Sequence, residues 1–191
     1  MQDDPTSAAA AIAGALVQAK IPFAVGGALC LAHWGVVRAT KDLDLNVFVS
    51  DEQLDPVFDA LERGGCDVDR AVSIARARER GDVVATWHGM RVDVFVAFHA
   101  YHDEVRARVV QGSLPDGMAV PFLSAEDLAV FKSLFHRPKD LGDLHRLFAA
   151  RAESFDIAYV RRWLDELLGP DDPRVTDIPR RFERIIARQE P

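Results

Sequence analysis

The stretch Asp42-Leu-Asp-Leu-Asn-Val-Phe-Val49 alternates polar and apolar residues along most of its length. A β-strand turns successive side chains to opposite faces, so this period of two predicts a half-buried strand. Leucine and valine residues share one face, and Asp42, Asp44, Asn46 and Phe48 share the other. Two carboxylates therefore project from one rigid strand face, where they cannot move apart to relieve their repulsion. Such a pair calls for a cation.

A glycine turn precedes this strand. Ile21 to Val25 predicts a short buried strand, Gly26-Gly27 ends it, and Ala28 to Trp34 has a helical pattern. Glycine lets the backbone approach a triphosphate closely, and a helix N-terminus favours its negative charge. The alternative is that the pair is only a turn.

A second strand carries another acid. Met90 to Phe98 alternates in the same way and is joined to Val83–Trp87 by a tight His88-Gly89 connection, which predicts a hairpin. Asp93 lies in the middle of this strand, on the side away from its valines, where an isolated charge is costly.

The three acids together predict a metal site. A neighbouring strand can bring Asp93 beside Asp42 and Asp44, and hard oxygen ligands of this kind suit Mg²⁺ or Mn²⁺ as a two-metal platform. The alternative is that Asp42 and Asp44 are solvated acids at a strand end, with Asp93 paired to Arg91 or another arginine.

The rest of the chain predicts mostly helices. One begins at Thr6 or Ser7 and runs to about Lys20, and Asp51–Arg63 precedes a short strand at 66–68. Ser124 caps a helix that ends before Pro138. Three more helices are expected at 140–151, 156–168 and about 178–188, while 70–80 is either helix or strand.

These elements predict an α+β fold. A mixed sheet with flanking helices would occupy residues 1–120, and a C-terminal helical bundle would occupy residues 121–191. With 191 residues, 49% of them hydrophobic, the chain is long enough to bury a core without disulfides or structural metal. Cys30 and Cys66 are then expected to be reduced.

Charge and hydropathy limit the cellular compartments and the classes of binding partner that are expected for this protein. The net charge of −7 argues against a general nucleic-acid coat but leaves room for a local basic groove. The apolar run from Ala8 to Val17 follows Asp3 and Asp4, whereas a signal peptide carries positive charge there. No run approaches the length of a membrane span, so a cytoplasmic protein without a membrane partner is expected.

The motifs together resemble a known superfamily. Gly26-Gly27, Arg38-x-Thr40-x-Asp42-x-Asp44 and Asp93 in a hydrophobic strand are similar to the DNA polymerase β type nucleotidyltransferases. Ser124-Ala-Glu-Asp-Leu-Ala-Val-Phe-Lys132, followed by Arg137-Pro-Lys-Asp140-Leu-Gly-Asp143, resembles the AbiEii and MenT type toxin nucleotidyltransferases. The resemblance covers about residues 20–150.

This resemblance implies a role for each matching residue. The nucleotide-binding set would be Gly26, Gly27, Arg38, Thr40, Lys132 and Arg137. The catalytic set would be Asp42, Asp44, Asp93, Lys132, Asp140 and Asp143, with the first three as metal ligands. Asp93 would be the third ligand or the base, and one of Asp140 and Asp143 would lie in the active site.

The helical half also has simpler interpretations. Lys132 either reaches phosphate or extends its ammonium to solvent from an apolar helix. Asp140 and Asp143 can be exposed acids that a helix start favours. Two groups of arginines either supply a phosphate-binding rim or are solvated helix faces: residues 70, 76, 78 and 80, and residues 180, 181, 184 and 188.

The implied function is an enzyme that moves a nucleoside monophosphate from an NTP, such as ATP or CTP, to an RNA hydroxyl and releases pyrophosphate. The tRNA 3′ end is the expected acceptor, and the protein would be the toxin of a toxin–antitoxin pair. Two alternatives remain. One is a nucleotidyltransferase acting on an aminoglycoside or a protein side chain. The acidic net charge fits a cationic aminoglycoside better than it fits RNA. The other is a catalytically silent binding module.

Overall fold

The structure, a computed structural model, describes residues 4–188. The described chain forms two compact units. The first consists of the chain up to Cys30 together with Arg38–Leu123, and the second consists of Leu31–Val37 together with the chain from Ser124 onward. The division into domains at residues 120 and 121 stays a prediction.

The first unit contains one mixed sheet. Its strands in chain order are β1 (Phe23–Val25), β2 (Asp42–Val47), β3 (Cys66–Asp67), β4 (Asp82–Trp87), β5 (Met90–Val96), β6 (Val110–Ser113) and β7 (Ala119–Phe122). Across the sheet they lie in the order β3-β4-β5-β2-β1-β7-β6. The β2–β5 and β1–β7 pairs are parallel, whereas β1–β2 is antiparallel.

The helices follow in chain order. They are α1 (Pro5–Gln18), α2 (Gly27–His33), α3 (Asp55–Arg63), α4 (Arg70–Arg80), α5 (Tyr101–Ala107), α6 (Ala125–Phe135), α7 (Pro138–Arg151), α8 (Ile157–Leu168) and α9 (Pro173–Ile186). In the first unit α1 packs on α3 and β2, and α4 packs on β4. In the second unit α6, α7, α8 and α9 form a bundle.

The predicted fold class is confirmed. The hairpin between β4 and β5 forms as expected, with Trp87 paired to Met90 and both His88 and Gly89 at positive φ. Such a pair of left-handed residues gives the tight turn that matches the twist of its strands. The 70–80 segment is helical because Asp69 accepts a hydrogen bond from Val72 N at its start.

The prediction for the first helix was wrong about its cap. Asp4, rather than Thr6 or Ser7, is the N-cap, and its Oδ1 accepts hydrogen bonds of 2.9 Å from the backbone N–H groups of both residues. Pro5 takes the first helical position, where its missing N–H costs nothing.

Other element boundaries also differ from the prediction. α3 begins at Asp55 rather than Asp51. Pro173, interpreted as a break, instead opens α9, because Asp172 caps the helix by accepting from Arg174 N at 2.9 Å. α5, β6 and β7 were not predicted, since all three are short and β7 contains Pro121, which is unusual in a strand.

The two cysteines are free and buried. Burial raises the pKa of the Cys66 thiol to about 12, so it stays protonated and unreactive. No helix in residues 4–188 has both the length and the apolar character needed to cross a membrane.

Candidate active site

The register of the sheet brings three of the predicted residues together. In the parallel β2–β5 pair Asp44 lies directly opposite Asp93, and Asp42 lies opposite Arg91. Residues two apart on a strand share a face, as do residues paired across the ladder. All four side chains therefore project from the same face of the sheet in the first unit.

The glycine turn lies against this face. Continuing the β1–β2 ladder, Gly26 N donates a 2.9 Å hydrogen bond to the carbonyl of Asp44. Gly27 has φ of +53°, and a Cβ there would lie 2.8 Å from Asp44 Cβ and closer still to its carboxylate. Only glycine allows both this backbone conformation and this approach. The turn therefore holds the Asp44 carboxylate beside the start of α2.

The remaining polar groups on this face have partners. Arg91 forms a two-pronged ion pair with Asp93, with Nε–Oδ2 at 2.8 Å and Nη2–Oδ1 at 2.6 Å. This hydrogen bonding is the main reason why the pKa of Arg91 is raised, and the charges of Asp93, Asp82 and Asp42 add to the effect. The Thr40 hydroxyl donates to Asp42 Oδ1.

The carboxylates fit a magnesium ion bound by two protein ligands. Asp42 and Asp44 are half-buried acids on one rigid strand, and Mg²⁺ is usually held by one or two carboxylates together with water and substrate phosphates. Asp93 does not join them as a third ligand in this arrangement, since it is engaged by Arg91. Within residues 4–188 no three acidic, histidine or cysteine side chains converge as a ready metal cluster.

The other predicted residues lie in the second unit. Lys132 on α6 has a side chain only 7% exposed, and its Nζ lies 2.7 Å from Asp143 Oδ2 and 3.7 Å from Asp140 Oδ1, both on α7. The alternative in which the ammonium extends to solvent is therefore wrong, because the aspartates hold it in the interior. Contact with phosphate stays a prediction.

Asp140 and Asp143 are not exposed acids, and that alternative is also wrong. Each side chain is 1% exposed. Asp140 accepts hydrogen bonds from Arg137 N at 3.2 Å and from Arg137 Nε at 2.6 Å, and these bonds cap the N-terminus of α7. Asp143 accepts from Arg146 Nη2 at 2.7 Å as well as from Lys132. The motif thus forms a buried charge cluster that joins α6 to α7.

The predicted site residues thus fall into two groups. The first unit gathers Gly26, Gly27, Thr40, Asp42, Asp44 and Asp93, and Arg38 begins its second segment. The second unit gathers Lys132, Arg137, Asp140 and Asp143. The roles assigned to these residues by resemblance stay predictions.

Two neighbours of these residues, Arg146 and Asn46, were not among the predicted site residues. Arg146 lies one turn after Asp143 on α7, and this spacing of three could have revealed the pair. Asn46 is 3% exposed, and its Nδ2 would lie 3.0 Å from a Cβ placed on Gly26. It continues the acidic face of β2, so the alternation already places it there.

Comparison with known proteins identifies the fold. A solution structure of the antibiotic-resistance factor ANT(2″)-Ia has 15% identity and a TM-score of 0.53, and the match covers 96% of this chain and 89% of that one. The chain has a nucleotidyltransferase fold. A crystal structure of ANT(2″)-Ia in complex with adenylyl-2″-tobramycin has 18% identity, a TM-score of 0.49, and coverage of 96% and 97% respectively.

An antigenic nucleotidyltransferase-like protein from Paracoccidioides brasiliensis has 13% identity and a TM-score of 0.45, with coverage of 96% of this chain and 94% of that one. No protein-family model and no curated protein sequence matches the chain. The AbiEii and MenT type assignment therefore stays a proposal.

Replacing Gly27 tests the contact with Asp44. Gly27→Ala should lower the free energy of unfolding by more than Gly89→Ala, because Gly89 has a positive φ but open space around its Cα. The Gly89 change should cost about 1–2 kcal/mol, as expected for a left-handed alanine. Urea unfolding of both variants measures the difference, and equal decreases would contradict the proposed close approach.

Replacing Lys132 tests the buried charge cluster. Lys132→Met should lower the free energy of unfolding by about 1.5–3 kcal/mol, because Asp143 loses a buried charged hydrogen-bond partner and keeps only the half-exposed Arg146. Lys132→Met/Asp143→Leu should recover part of that decrease, since the buried carboxylate that lost the Lys132 ammonium is also removed. A single variant as stable as the wild type in chemical denaturation would show that the pair is not held as described.

Proposed function

We propose that the protein is a metal-dependent nucleotidyltransferase that moves a nucleoside monophosphate from an NTP to a hydroxyl group. The observation that carries the proposal is the placement of Asp42 and Asp44 on one strand face, with Asp44 against the Gly26-Gly27 turn and opposite Asp93. A nucleotidyltransferase fold supports it. The reaction joins the acceptor oxygen to the α-phosphorus and breaks the bond from the α-phosphorus to the oxygen that bridges to the β-phosphorus. Pyrophosphate leaves with that oxygen, and the acceptor hydroxyl gives up its proton.

The residues of the first unit have different proposed roles in metal binding and triphosphate binding. Asp42 and Asp44 would hold Mg²⁺ or Mn²⁺, which when bound offsets the phosphate charge and orients the α-phosphate. Thr40 fixes the Asp42 carboxylate through its hydroxyl. Gly26 N is engaged by Asp44, so a triphosphate contact at this turn falls to the backbone at Gly27. Gly27 starts α2, where the first N–H groups lack partners within the helix.

Asp93 needs a change of partner before it can act. As third metal ligand or as base for the acceptor hydroxyl, its carboxylate must leave the ion pair with Arg91. The Arg91 side chain is 54% exposed, so it can swing into solvent at modest cost. The released guanidinium then suits a phosphate oxygen of the incoming nucleotide.

For the acceptor we propose RNA, with the tRNA 3′ end as the expected substrate, a toxin role and a cognate antitoxin as partner. The support is the Lys132 and Arg137–Asp143 pattern in the second unit, which resembles the toxin nucleotidyltransferases. Arg38 would add a contact to the nucleotide, whether it is ATP or CTP.

A second acceptor class is a small cationic molecule such as an aminoglycoside. One observation favours it, since the fold match to the antibiotic-resistance factor extends over 96% of this chain. The net charge of −7 is also compatible with a cationic substrate. A panel of acceptors offered with the same labelled NTP separates the two classes.

Removing a proposed metal ligand tests the central chemistry. Asp42→Asn and Asp44→Asn should each lower transfer of α-labelled nucleotide by about a hundredfold or more, because metal stabilisation of phosphate charge is worth several kcal/mol. The assay combines the protein, Mg²⁺, each labelled NTP in turn and total RNA or tobramycin, with EDTA as a metal-free arm.

The matched control is Asp67→Asn, which removes an exposed acid on β3 of the same sheet. It should transfer label as the wild type does, and all three variants should keep the wild-type melting temperature within a few degrees. Unchanged transfer by Asp44→Asn, or no transfer by the folded wild type with any acceptor, would contradict the proposed function.

A further inference from the structure

The two groups of arginines have different surroundings. In the first unit every α4 arginine of the group has an acidic neighbour. Arg70 pairs with Asp59 and Glu62 at 2.7 and 2.6 Å, and Arg76 pairs with Asp82 at 2.5 Å. Arg78 lies 4.0 Å from Asp51, and Arg80 lies 3.6 Å from Glu79. Acids therefore offset the positive charge of this group.

In the second unit α7, α9 and the residues just after α9 line an open pocket of about 150 Å³. Its apolar lining includes Leu144, Phe148 and Ile185, and its polar lining consists of His145, Arg181, Arg184 and Arg188. Among the residues that the structure describes, no acidic side chain lines it. The acid that lies beside these arginines is Asp177, whose Oδ2 is 2.5 Å from Arg181 Nε and whose Oδ1 is 3.8 Å from Arg184 Nη2.

Among the described residues, one carboxylate therefore pairs with two of the three guanidinium groups. Arg188 has no ion pair within residues 4–188, and the Arg184 side chain is 64% exposed. In a chain of net charge −7 this is a local excess of positive charge beside an apolar floor. Such a combination suits a ligand that carries both anionic and apolar parts.

The spacing of the arginines selects among such ligands. Arg181 and Arg184 lie on α9, and Arg188 lies two residues beyond its end. At the helical rise per residue, Arg181 and Arg188 are about 10 Å apart along the axis, which is more than a single phosphate group spans. Repeated phosphates along a strand match this row, and guanidinium groups bind phosphate through paired N–H donors. A cationic aminoglycoside would be repelled from it.

We propose that this α7–α9 pocket binds a single-stranded segment of RNA. Backbone phosphates lie on Arg181, Arg184 and Arg188, and a base rests on the apolar floor beside Leu144 and Ile185. Unstacked bases of single-stranded RNA pack on apolar and guanidinium surfaces in this way. This inference rests on the proposed function, because the pocket would select RNA rather than a small cation as the acceptor of the nucleotide.

The test measures the affinity of the protein for a short fluorescein-labelled single-stranded RNA. The fluorescence anisotropy of the RNA reports binding, in a buffer that contains EDTA and no NTP. Arg184→Gln/Arg188→Gln should weaken binding by about tenfold or more. It should also reduce the slope of log affinity against log salt by about 1.4, since each arginine that no longer neutralises a phosphate lowers the slope by about 0.7. Arg78→Gln/Arg80→Gln removes the same two charges from α4 and should leave the affinity within about twofold.

Arg188→Gln guards against a folding artefact, since Arg188 is exposed and lies beyond the end of α9. It should reduce the salt slope by about 0.7 with an unchanged circular dichroism spectrum. Equal weakening by the two double variants would overturn the proposal, as would a wild type that does not bind the RNA.

The binding assay separates this inference from the proposed function. Pocket-dependent RNA binding by a protein that transfers no nucleotide would retain the pocket and reject the function. Labelling of RNA by the wild type and by Arg184→Gln/Arg188→Gln at the same rate would retain the function and reject the pocket.

Discussion

The structure of the first unit depends on the contact between the Asp44 side chain and the Cα of Gly27. It requires a residue without Cβ at positive φ, and it joins the β1 turn to the centre of the sheet. The hydrogen bond from Gly26 N to the Asp44 carbonyl fixes the same alignment from the backbone side. Once β2 is held there, its parallel register with β5 brings Asp93 opposite Asp44.

The same residue types serve a different purpose in the second unit. There the charges lie in the interior, and Lys132 is satisfied by aspartates of the neighbouring helix. A buried cluster of this kind is sensitive to the removal of one member, because the remaining charge has no water to replace its partner. It specifies how α6 meets α7, and any catalytic role for these residues has to be compatible with that packing.

The elements that the sequence predicted well are those whose pattern is local. The alternation of 42–49 and 90–96 determines which residues share a face, and the His88-Gly89 turn determines the hairpin. The pairing of Asp44 with Asp93 is not local, since it depends on the register of two strands that are far apart in the sequence. The sequence permitted this pairing but could not establish it.

The buried charge cluster of the second unit shows the same limit. Lys132 follows an apolar helical pattern, and the helix by itself does not reveal whether the ammonium lies in solvent, on a ligand or against another helix. Burial of Asp140 and Asp143 depends on the packing of α7 against α6, which the spacing of residues does not contain. Arg91 was recognised from the sequence as a possible partner of Asp93, because strand residues two apart share a face.

In the proposed function, Asp42 and Asp44 form a divalent-cation site beside the glycine turn. The most direct measurement is a titration of the ¹⁵N-labelled protein with Mn²⁺, whose unpaired electrons broaden nearby amide signals. The signals of Gly26, Gly27 and the β2 residues around Asp44 should broaden first, and Mg²⁺ in excess should restore them. Broadening that is confined to other regions, or that persists unchanged in Asp44→Asn, would contradict the proposed site.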